Sequence, residues 1–470
     1  MVRPAKTKYP RMTMTPRTKQ QLNKFFKNHA PDMADLVPNN QGQGGGGGGG
    51  DNGQSEPGSG TSNSSQGSNG GGQSQRAPAT NAGMYFYSYS VGTPPQTVSG
   101  ALDISSELVW TQCSCATCDV STSTTPFDPS LSTTVADLPC TSTACQDFVN
   151  QTCDAPECTY VYMYRGGVAN TTGYLATDTF TFDTTSRVEG VVFGCGFDSA
   201  GDFGGASGGV IGLGRGPLSL VSQLQADRFS YYFVPDDSTG NAESFIHFGD
   251  DATTQTSHAV STPLLATSDD PNLYLVGLTG IKVDGKDLAI PRGTFDLQKD
   301  GSGGVVLSIA VPVTFLEESA YKLLRQAMAS GIRLPTANGT EALGLDLCYT
   351  SQSLAAAKIP AVSLVFDGGA TMELEVGNYF YMDAGSGLEC LTILPSDSGT
   401  SLLGSLIQAG THMIYDIRGS TLTFESLEQA SPPSNSSQGA SRPRRSSAPP
   451  PRSPVVIVHF FFWVVVFMVL

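Results

Sequence analysis

Two segments of the chain share one pattern of apolar and polar positions. In residues 101–110, Ala-Leu-Asp-Ile-Ser-Ser-Glu-Leu-Val-Trp, small and apolar residues precede one carboxylate, Asp103, and a second apolar run ends the segment. Residues 303–316 repeat this plan, but Ser308 occupies the position of the carboxylate. The repetition predicts two copies of one β-element, of which the second lacks the acid.

Short strand patterns separated by turns fill residues 84–428. Residues 84–91 alternate as a half-buried strand, and the turn sequence of residues 92–96 follows it. Helical patterning is scarce, and residues 218–224 and 317–328 are its best candidates. Frequent short strands with few short helices predict an all-β architecture.

The same patterns predict an internal duplication. The Asp103 element is followed roughly a hundred residues later by the apolar and glycine run of residues 210–214, and the Ser308 element by that of residues 402–404. Two lobes of one design, related by a pseudo-twofold axis, explain such a repeat most simply. The predicted lobes are residues 84–250 and 251–428.

The segment before the first lobe, residues 1–83, has the composition of a disordered chain. Residues 1–29 carry eight Lys and Arg and no acid, and residues 40–80 are rich in Gly, Ser, Asn and Gln. Such a segment buries too little apolar surface to offset its chain entropy. No apolar core of a signal peptide follows the basic residues, so a solvated basic tail is the preferred interpretation. A transit peptide and an incorrectly assigned start are the alternatives.

The segment after the second lobe suggests a membrane attachment. Residues 429–454 are a predicted Ser/Pro-rich linker, and residues 455–470 are a hydrophobic tail of sixteen residues. A helix needs about 20 residues to span a bilayer. The polar spacer and small residues before the tail favour a cleaved lipid-anchor (GPI) signal, with a tail anchor or an incorrectly assigned terminus as alternatives. Both membrane interpretations place the folded body at a membrane surface.

Charge and cysteine content narrow the class of protein. The formal net charge of −16 disfavours a nucleic-acid partner. Ten cysteines and the glycosylation triplets at Asn150, Asn170 and Asn338 indicate the oxidising secretory pathway, with an extracellular or cell-surface destination. A zinc site in the cysteine cluster is disfavoured because no histidine lies nearby in the sequence. We therefore expect neither a metal nor a cofactor.

Several of these stretches resemble the pepsin-like aspartic peptidases, specifically their plant nepenthesin-type branch. The similarity covers about residues 84–425, and the resemblance implies a bilobal β fold with a long cleft. It also implies a flap hairpin over the cleft and one catalytic Asp in each lobe. The most specific stretches are Val-Gly-Thr-Pro-Pro-Gln (91–96), Leu-Val-Trp-Thr-Gln-Cys (108–113), Phe-Gly-Cys-Gly (193–196), residues 212–224 and Tyr-Asp (415–416).

The cysteines are similar to those of that branch, which carries a cysteine-rich insertion in its first lobe. The branch usually has a cysteine after Phe-Ser-Tyr, but here Tyr232 follows residues 229–231, and no cysteine comes after Cys390. Both partners of one family disulfide are therefore missing, which leaves an even number of cysteines for pairing. The disulfide candidates are Cys113, Cys115, Cys118, Cys140, Cys145, Cys153, Cys158, Cys195, Cys348 and Cys390.

The chemistry of the family depends on two carboxylates that share one proton. One acts as a base towards water, and the other acts as an acid towards the carbonyl oxygen. Each begins a motif Asp-Thr/Ser-Gly-Ser/Thr, whose first hydroxyls brace the two loops against each other. Here a neutral serine hydroxyl replaces the second acid, and isoleucines replace both bracing hydroxyls. The first copy is Asp103, Ile104, Ser105 and Ser106, and the second is Ser308, Ile309, Ala310 and Val311.

Two aromatic residues match the flap and cleft of the family. Tyr164, followed by Arg-Gly-Gly, matches the flap tyrosine, and Trp110 matches the tryptophan that the family pairs with it. Two ordinary core aromatics are the alternative interpretation. If the pair is kept, the groove can hold an extended peptide by β-pairing. A nucleophilic Ser308 would need a histidine base, and none of the three histidines in the lobes lies in a triad motif.

These observations favour a non-catalytic member of the family, a monomer that binds or inhibits a peptide or protein at the cell surface. One alternative is an active aspartic endopeptidase that cleaves proteins at acid pH with Asp103 in an unusual site. The other is a structural surface glycoprotein. The missing second carboxylate at Ser308 separates the first hypothesis from the second.

Overall fold

The structure is a computed structural model. Within the residues that it describes, strands make up most of the regular structure, and one helix alone exceeds a single turn. The described residues are 12–13, 85–114, 125–153, 156–164, 169–183, 186–200, 208–235, 243–267, 270–396 and 398–427.

The strands and helices are numbered in chain order. The strands of the first half are β1 Met12–Thr13, β2 Phe86–Val91, β3 Gln96–Asp103, β4 Trp110–Gln112, β5 Ala136–Asp137, β6 Gln151–Thr152, β7 Thr159–Met163, β8 Asn170–Thr181, β9 Arg187–Ala200, β10 Gly209–Gly212, β11 Arg228–Tyr232 and β12 Phe245–Phe248. Those of the second half are β13 Val260–Leu265, β14 Leu275–Val276, β15 Leu278–Val283, β16 Lys286–Asp287, β17 Val305–Leu307, β18 Thr314–Glu317, β19 Cys348–Thr350, β20 Val362–Phe366, β21 Thr371–Leu374, β22 Phe380–Asp383, β23 Leu388–Leu391, β24 Ile393–Ser396, β25 Ser401–Leu403, β26 Thr411–Asp416 and β27 Thr421–Ser426. The α-helices are α1 Thr143–Gln146, α2 Leu220–Gln223, α3 Glu318–Ile332, α4 Thr340–Leu343, α5 Ser351–Leu354, α6 Val376–Tyr379 and α7 Ser405–Gln408.

The first hairpin forms where the sequence predicts it. β2 pairs antiparallel with β3 along its whole length, and its buried and exposed residues alternate as in a half-buried strand. The turn between the two strands requires a glycine, because Gly92 has a φ of 91° and a Cβ there would lie 2.9 Å from Ser132 Oγ. The hairpin thereby brings Asp103, the last residue of β3, into the interior of the sheet.

Each lobe is built around four strands of the same topology. In the first lobe, β3 runs parallel to β10, β10 antiparallel to β4, and β4 parallel to β9. In the second lobe, β17 runs parallel to β25, β25 antiparallel to β18, and β18 parallel to β24. The predicted all-β fold with two lobes of one design is confirmed. One copy ends at Asp103 and the other directly before Ser308.

The described strands form four sheets. A nine-stranded sheet contains the first copy, and an eleven-stranded sheet contains the second copy together with β11, β12, β26 and β27. A four-stranded and a three-stranded sheet complete the second half. One hydrophobic cluster includes Leu102 and Ile104 from the first copy as well as Leu307 and Ile309 from the second. The two loops that follow β3 and β17 are therefore anchored in the same core.

The longest helix lies where the sequence predicts one, and it continues four residues beyond the predicted end. Its buried residues include Ala320, Leu324, Met328 and Ile332, which recur at every fourth position and form one apolar stripe. α2 forms a single turn inside the other predicted helix. None of the helices in the described part of the chain is long and apolar enough to cross a membrane.

Disulfides fasten both lobes. Cys113, the residue directly after β4, is bonded to Cys195 of β9, so that one disulfide joins two neighbouring strands of the nine-stranded sheet. Cys115 and Cys118 lie outside the described residues. The other disulfides among the described residues are Cys140–Cys153, Cys145–Cys158 and Cys348–Cys390.

The predicted terminal segments lie almost entirely outside the described residues. The exception is β1, whose Met12 pairs with Ile246 and is 1% exposed. This strand falls within the segment that the composition predicts to be disordered. It extends the edge of the eleven-stranded sheet beyond β12. The predicted linker of residues 429–454 and the tail of residues 455–470 are not described.

Candidate functional site

Asp103 lies at the end of β3, and it is 3% exposed. Its backbone carbonyl accepts the N–H of Leu213 at 2.8 Å, which continues the parallel pairing with β10. Its carboxylate Oδ1 accepts the backbone N–H of Ser105 at 2.8 Å and the Ser105 hydroxyl at 2.6 Å. Among the described residues, Ser105 alone donates hydrogen bonds to this carboxylate. The loop therefore holds Asp103 in one orientation without a second acid.

Ser308 occupies the equivalent position in the second lobe, and it is also 3% exposed. Its N–H donates to the carbonyl of Leu403 at 3.0 Å, as expected at the end of the parallel pairing between β17 and β25. Its hydroxyl accepts the N–H of Val311 at 3.4 Å. Within the described ranges no carboxylate or imidazole is hydrogen-bonded to this hydroxyl. The structure therefore places the Ser308 hydroxyl at the position of the second lobe that corresponds to Asp103 in the first.

Ile104 and Ile309 follow the two site residues and lie inside the protein. They are 0% and 1% exposed, and both belong to the hydrophobic cluster that the two lobes share. Neither side chain can form a hydrogen bond. These two positions therefore lack the polar bracing that the family resemblance implies, and both side chains contribute to the hydrophobic core instead.

Trp110 and Tyr164 are in direct contact above the Asp103 loop. The Trp110 Nε1–H donates to the Tyr164 hydroxyl at 2.7 Å, and the Tyr164 ring makes an edge contact with Tyr162 at 5.0 Å between centroids. Burial, followed by the neighbouring Tyr162 and the Asp103 carboxylate, raises the pKa of Tyr164 well above its usual range. Tyr164 thus stays protonated and lies within electrostatic range of Asp103. Residues 165–168, which follow it, lie outside the described residues.

Gln408 is a site residue that the sequence analysis missed. Its side chain is completely buried, and its Nε2 donates to the carbonyls of Ser308 at 2.9 Å, Leu403 at 3.0 Å and Gly404 at 3.1 Å. Its Oε1 accepts the hydroxyl of Tyr231, which belongs to the strand β11. The Gln408 side chain therefore holds the Ser308 loop in place through these hydrogen bonds. The only signal in the sequence is a glutamine among apolar residues shortly after Leu402-Leu-Gly404.

Glu107 is a second missed residue, in the loop between Asp103 and β4. Its side chain is 4% exposed, and burial raises the pKa of its carboxyl, although hydrogen bonds from Asn272 and from the Leu218 backbone oppose the shift. A Cβ on Gly216 would lie 2.2 Å from Glu107 Oε2 and 2.4 Å from Asn272 Oδ1. Because Gly216 has no side chain, it leaves the space that the Glu107 carboxyl occupies.

Other acids and histidines of the second lobe have partners of their own. Asp346 accepts a hydrogen bond from Tyr321 and one from Arg325 at 2.7 Å. The His412 Nδ1 lies 2.9 Å from the Glu425 carboxylate, and both side chains are completely buried. These groups are therefore committed to structural contacts.

Comparisons with known proteins agree with this geometry. A profile described as "Xylanase inhibitor N-terminal" matches residues 85–250, and one described as "Xylanase inhibitor C-terminal" matches residues 273–426. The fold and these matches define a bilobal, pepsin-like β protein. The chain belongs to the plant pepsin-like aspartic peptidase family, as the resemblance implied.

Similar proteins of this family come from plants. Aspartic proteinase nepenthesin-2 of Nepenthes gracilis is 38% identical over 344 residues, which are 73% of this chain and 77% of that protein. Nepenthesin-1 of the same plant is 36% identical over 348 residues, or 74% of this chain and 78% of that protein. Aspartyl protease 37 of Oryza sativa subsp. japonica is 32% identical over 376 residues, or 73% of this chain and 80% of that protein.

Solved structures of lower identity share the fold. The crystal structure of edgp superimposes with a TM-score of 0.58 at 18% identity, covering 74% of this chain and 93% of that one. Basic 7S globulin from soybean gives a TM-score of 0.56 at 20% identity, covering 74% and 96%. These similarities support the bilobal architecture and nothing about activity.

Proposed function

We propose that this protein is an aspartic-peptidase-family protein with impaired or absent peptidase activity, which binds a peptide or protein between its lobes. The observation that carries the proposal is Ser308, whose buried hydroxyl stands where the second carboxylate is required. Two carboxylates normally share one proton, so that an acid and a base face each other. A hydroxyl holds its proton at every working pH, and Asp103 cannot be both acid and base in one step.

The surroundings of Ser308 support the same conclusion. Loss of one acid/base partner typically lowers the rate by about two to four orders of magnitude. Ile104 and Ile309 remove the polar bracing of the loops, and a small displacement of the remaining carboxylate lowers the rate further. Both isoleucines belong to the same hydrophobic core cluster. They therefore fit a stable binding scaffold better than a damaged enzyme.

The upper part of the site supports ligand binding. The hydrogen bond between Trp110 and Tyr164 keeps the chain after β7 in contact with β4, the strand that follows the Asp103 loop. A cleft of this kind binds an extended peptide through main-chain hydrogen bonds and side-chain pockets. The matching profiles are described as domains of a xylanase inhibitor, which favours an inhibitor-like role towards another protein.

The proposal includes a place for the protein in the cell. The four described disulfides fit an oxidising compartment, and we assign the chain to the secretory pathway and the cell surface. Asn150, Asn170 and Asn338 are its proposed glycosylation sites, and the tail of residues 455–470 provides its membrane attachment, as a lipid-anchor signal or as a tail anchor. The folded lobes act as a monomer.

A peptidase assay tests the proposal directly. The full chain, Ser308→Asp and Asp103→Asn are incubated with a denatured protein at about pH 3 to 5, where this class of acid pair works, with nepenthesin-2 as the positive control. We expect no turnover by the parent chain and little by Ser308→Asp. If the parent chain cleaves the substrate and Asp103→Asn abolishes this cleavage, the proposal is overturned and the protein is an active endopeptidase. The retained Asp103 and the contact between Trp110 and Tyr164 favour this second function.

A further inference from the structure

The outer surface of the hairpin formed by β7 and β8 is unusually apolar. Seven large hydrophobic side chains are exposed among the described residues, and three of them, Val149, Val161 and Met163, belong to β7 or to the chain beside it. Buried and exposed residues alternate along β7, so Tyr162 faces inward while Val161 (46% exposed) and Met163 (55% exposed) face outward. A concentration of apolar groups at the surface of a protein commonly marks an area that something covers.

One glycosylation triplet lies on this surface. Asn170 is the direct cross-strand partner of Met163, and Thr172, the hydroxyl residue of the same triplet, is the partner of Val161. Directly paired residues of neighbouring strands project from the same face of a sheet. Asn170 and Thr172 are half-buried, whereas Thr171 between them is completely buried. Asn170 therefore projects from the face that carries Met163 and Val161.

A second triplet borders the same surface from the opposite side. The carbonyl of Asn150 accepts the N–H of Val161 at 3.2 Å, one step beyond the last pair of β6 and β7. Asn150 follows Val149, which is 89% exposed. Thr152, the hydroxyl residue of this triplet, is also exposed. Val161 is thus flanked by one triplet on each neighbouring strand.

We propose that N-linked glycans on Asn150 and Asn170 cover the apolar outer face of the hairpin, whose inner face is packed in the core of the lobe. This inference rests on the secretory localisation proposed above and is independent of peptidase activity. The co-reactant is a lipid diphosphate-linked oligosaccharide of the secretory pathway. The asparagine Nδ2 forms a bond to the anomeric carbon, the bond from that carbon to the diphosphate oxygen breaks, and the amide loses one proton as the lipid diphosphate leaves.

The third triplet provides a matched control. Asn338 lies in the second lobe, is exposed, and accepts the N–H of Thr340 at 3.2 Å. None of the seven exposed hydrophobic side chains belongs to the segment around it. A glycan there would cover no apolar face. Passage through the secretory pathway is by itself enough to predict a glycan on Asn338, whereas the proposal requires glycans on Asn150 and Asn170.

The test uses the full chain secreted from a plant or yeast host. Mass spectrometry of its peptides, before and after enzymatic removal of N-glycans, identifies the occupied asparagines. The double variant Asn150→Gln/Asn170→Gln and the control Asn338→Gln are then compared by fluorescence of a hydrophobic-surface dye and by sedimentation. We expect both sites to be occupied, a several-fold rise in dye fluorescence for the double variant, and no rise for the control. Adding Val161→Thr and Met163→Thr to the double variant should abolish the rise.

Four outcomes would overturn the inference. Modification of Asn338 alone would keep the secretory proposal and refute the covering glycans, and absence of any glycan would refute both. An equal rise in dye fluorescence with Val161→Thr and Met163→Thr would place the exposed apolar surface elsewhere. A dimer of the fully glycosylated chain that these two substitutions dissociate would show that a second copy covers this face.

Discussion

Ser308, Ile104 and Ile309 have to be considered together at the scale of single residues, because each changes what the others can contribute. A carboxylate introduced at Ser308 would enter a buried loop whose neighbours are apolar and offer it few donors. The isoleucines anchor the two loops in the hydrophobic core, whereas hydroxyls would brace them by hydrogen bonds. Restoring the acid alone therefore restores neither the polarity nor the geometry that its chemistry requires.

A combined variant tests this dependence. We expect Ile104→Thr/Ser308→Asp/Ile309→Thr to exceed Ser308→Asp by about two orders of magnitude in kcat/KM, because a positioned acid/base partner contributes that much or more. The measurement is cleavage of a denatured protein at acid pH. The same triple variant with Asp103→Asn should be silent. Equal activity of the single and triple variants would mean that the isoleucines do not limit the site.

At the scale of elements, the two duplicated loops are supported differently. The Asp103 loop is held by backbone pairing with β10 and by the hydrogen bonds of Ser105. The Ser308 loop depends in addition on the side chain of Gln408, at the end of α7, which bridges three carbonyls and Tyr231. Tyr231 in turn lies 2.8 Å from the hydroxyl of Tyr415. One side chain thus connects the second loop to the strands β11 and β26.

Removal of that side chain should loosen the second lobe. We expect Gln408→Ala to lower the free energy of unfolding by about 3 kcal/mol, because three buried carbonyls lose a side-chain donor and the Tyr231 hydroxyl loses an acceptor. The exposed Gln352→Ala in α5 is the matched control and should stay within about 0.5 kcal/mol of the parent. Urea unfolding of both variants measures the difference. Similar losses for the two variants would argue against the bridging role of Gln408.

At the scale of the whole molecule, the sequence was most informative where a pattern is local and repeated. The apolar runs around Asp103 and Ser308 predicted two equivalent elements, and β3–β10 and β17–β25 pair in the same parallel way. The predicted strand before Gly92 also formed, because alternation determines which face of a strand is buried.

Such local patterns could not predict contacts between residues that lie far apart in the sequence. The role of Gln408 depends on a tyrosine 177 residues away in the chain, and the environment of Glu107 depends on Asn272 of the other lobe. Nothing in the periodicity of either neighbourhood indicates those partners. Met12 was missed for a related reason, since a two-residue strand in a basic segment has too few residues to show alternation.

Acid stability is a property of the whole molecule that these buried groups determine. Burial raises the pKa of Glu107. Its contribution to the stability of the folded state is therefore present below its unfolded pKa and is lost as the pH rises through its folded pKa. His412 and Glu425 act in the opposite direction. Burial lowers the pKa of His412 from its ordinary 6.5, although the contact with Glu425 opposes the shift. Burial raises the pKa of Glu425, but hydrogen bonds from Gln255, His412 and Thr256 outweigh the effect of burial and hold this pKa below 4.5.

The sign for the His412–Glu425 pair follows from proton binding. Both groups bind protons more weakly in the folded than in the unfolded state, so the unfolded state gains protons first as the pH falls. The stabilisation is therefore complete above about pH 6.5, the unfolded value of a histidine. It decreases below that pH, and again as Glu425 is protonated below its unfolded value. Loss of the pair would also release the loop that Glu425 holds through the N–H groups of Gln255 and Thr256 at 2.7 Å.

We accordingly expect the protein to lose stability on acidification. His412→Gln keeps a donor for Glu425 but removes the titrating imidazole, so its unfolding midpoint in urea should fall less than that of the parent between about pH 7 and pH 5. His258→Gln, at an exposed histidine, is the control and should follow the parent. A parent chain whose midpoint is constant or rises over this range would contradict the assignment, because the buried pair would then not govern the acid side of the stability profile.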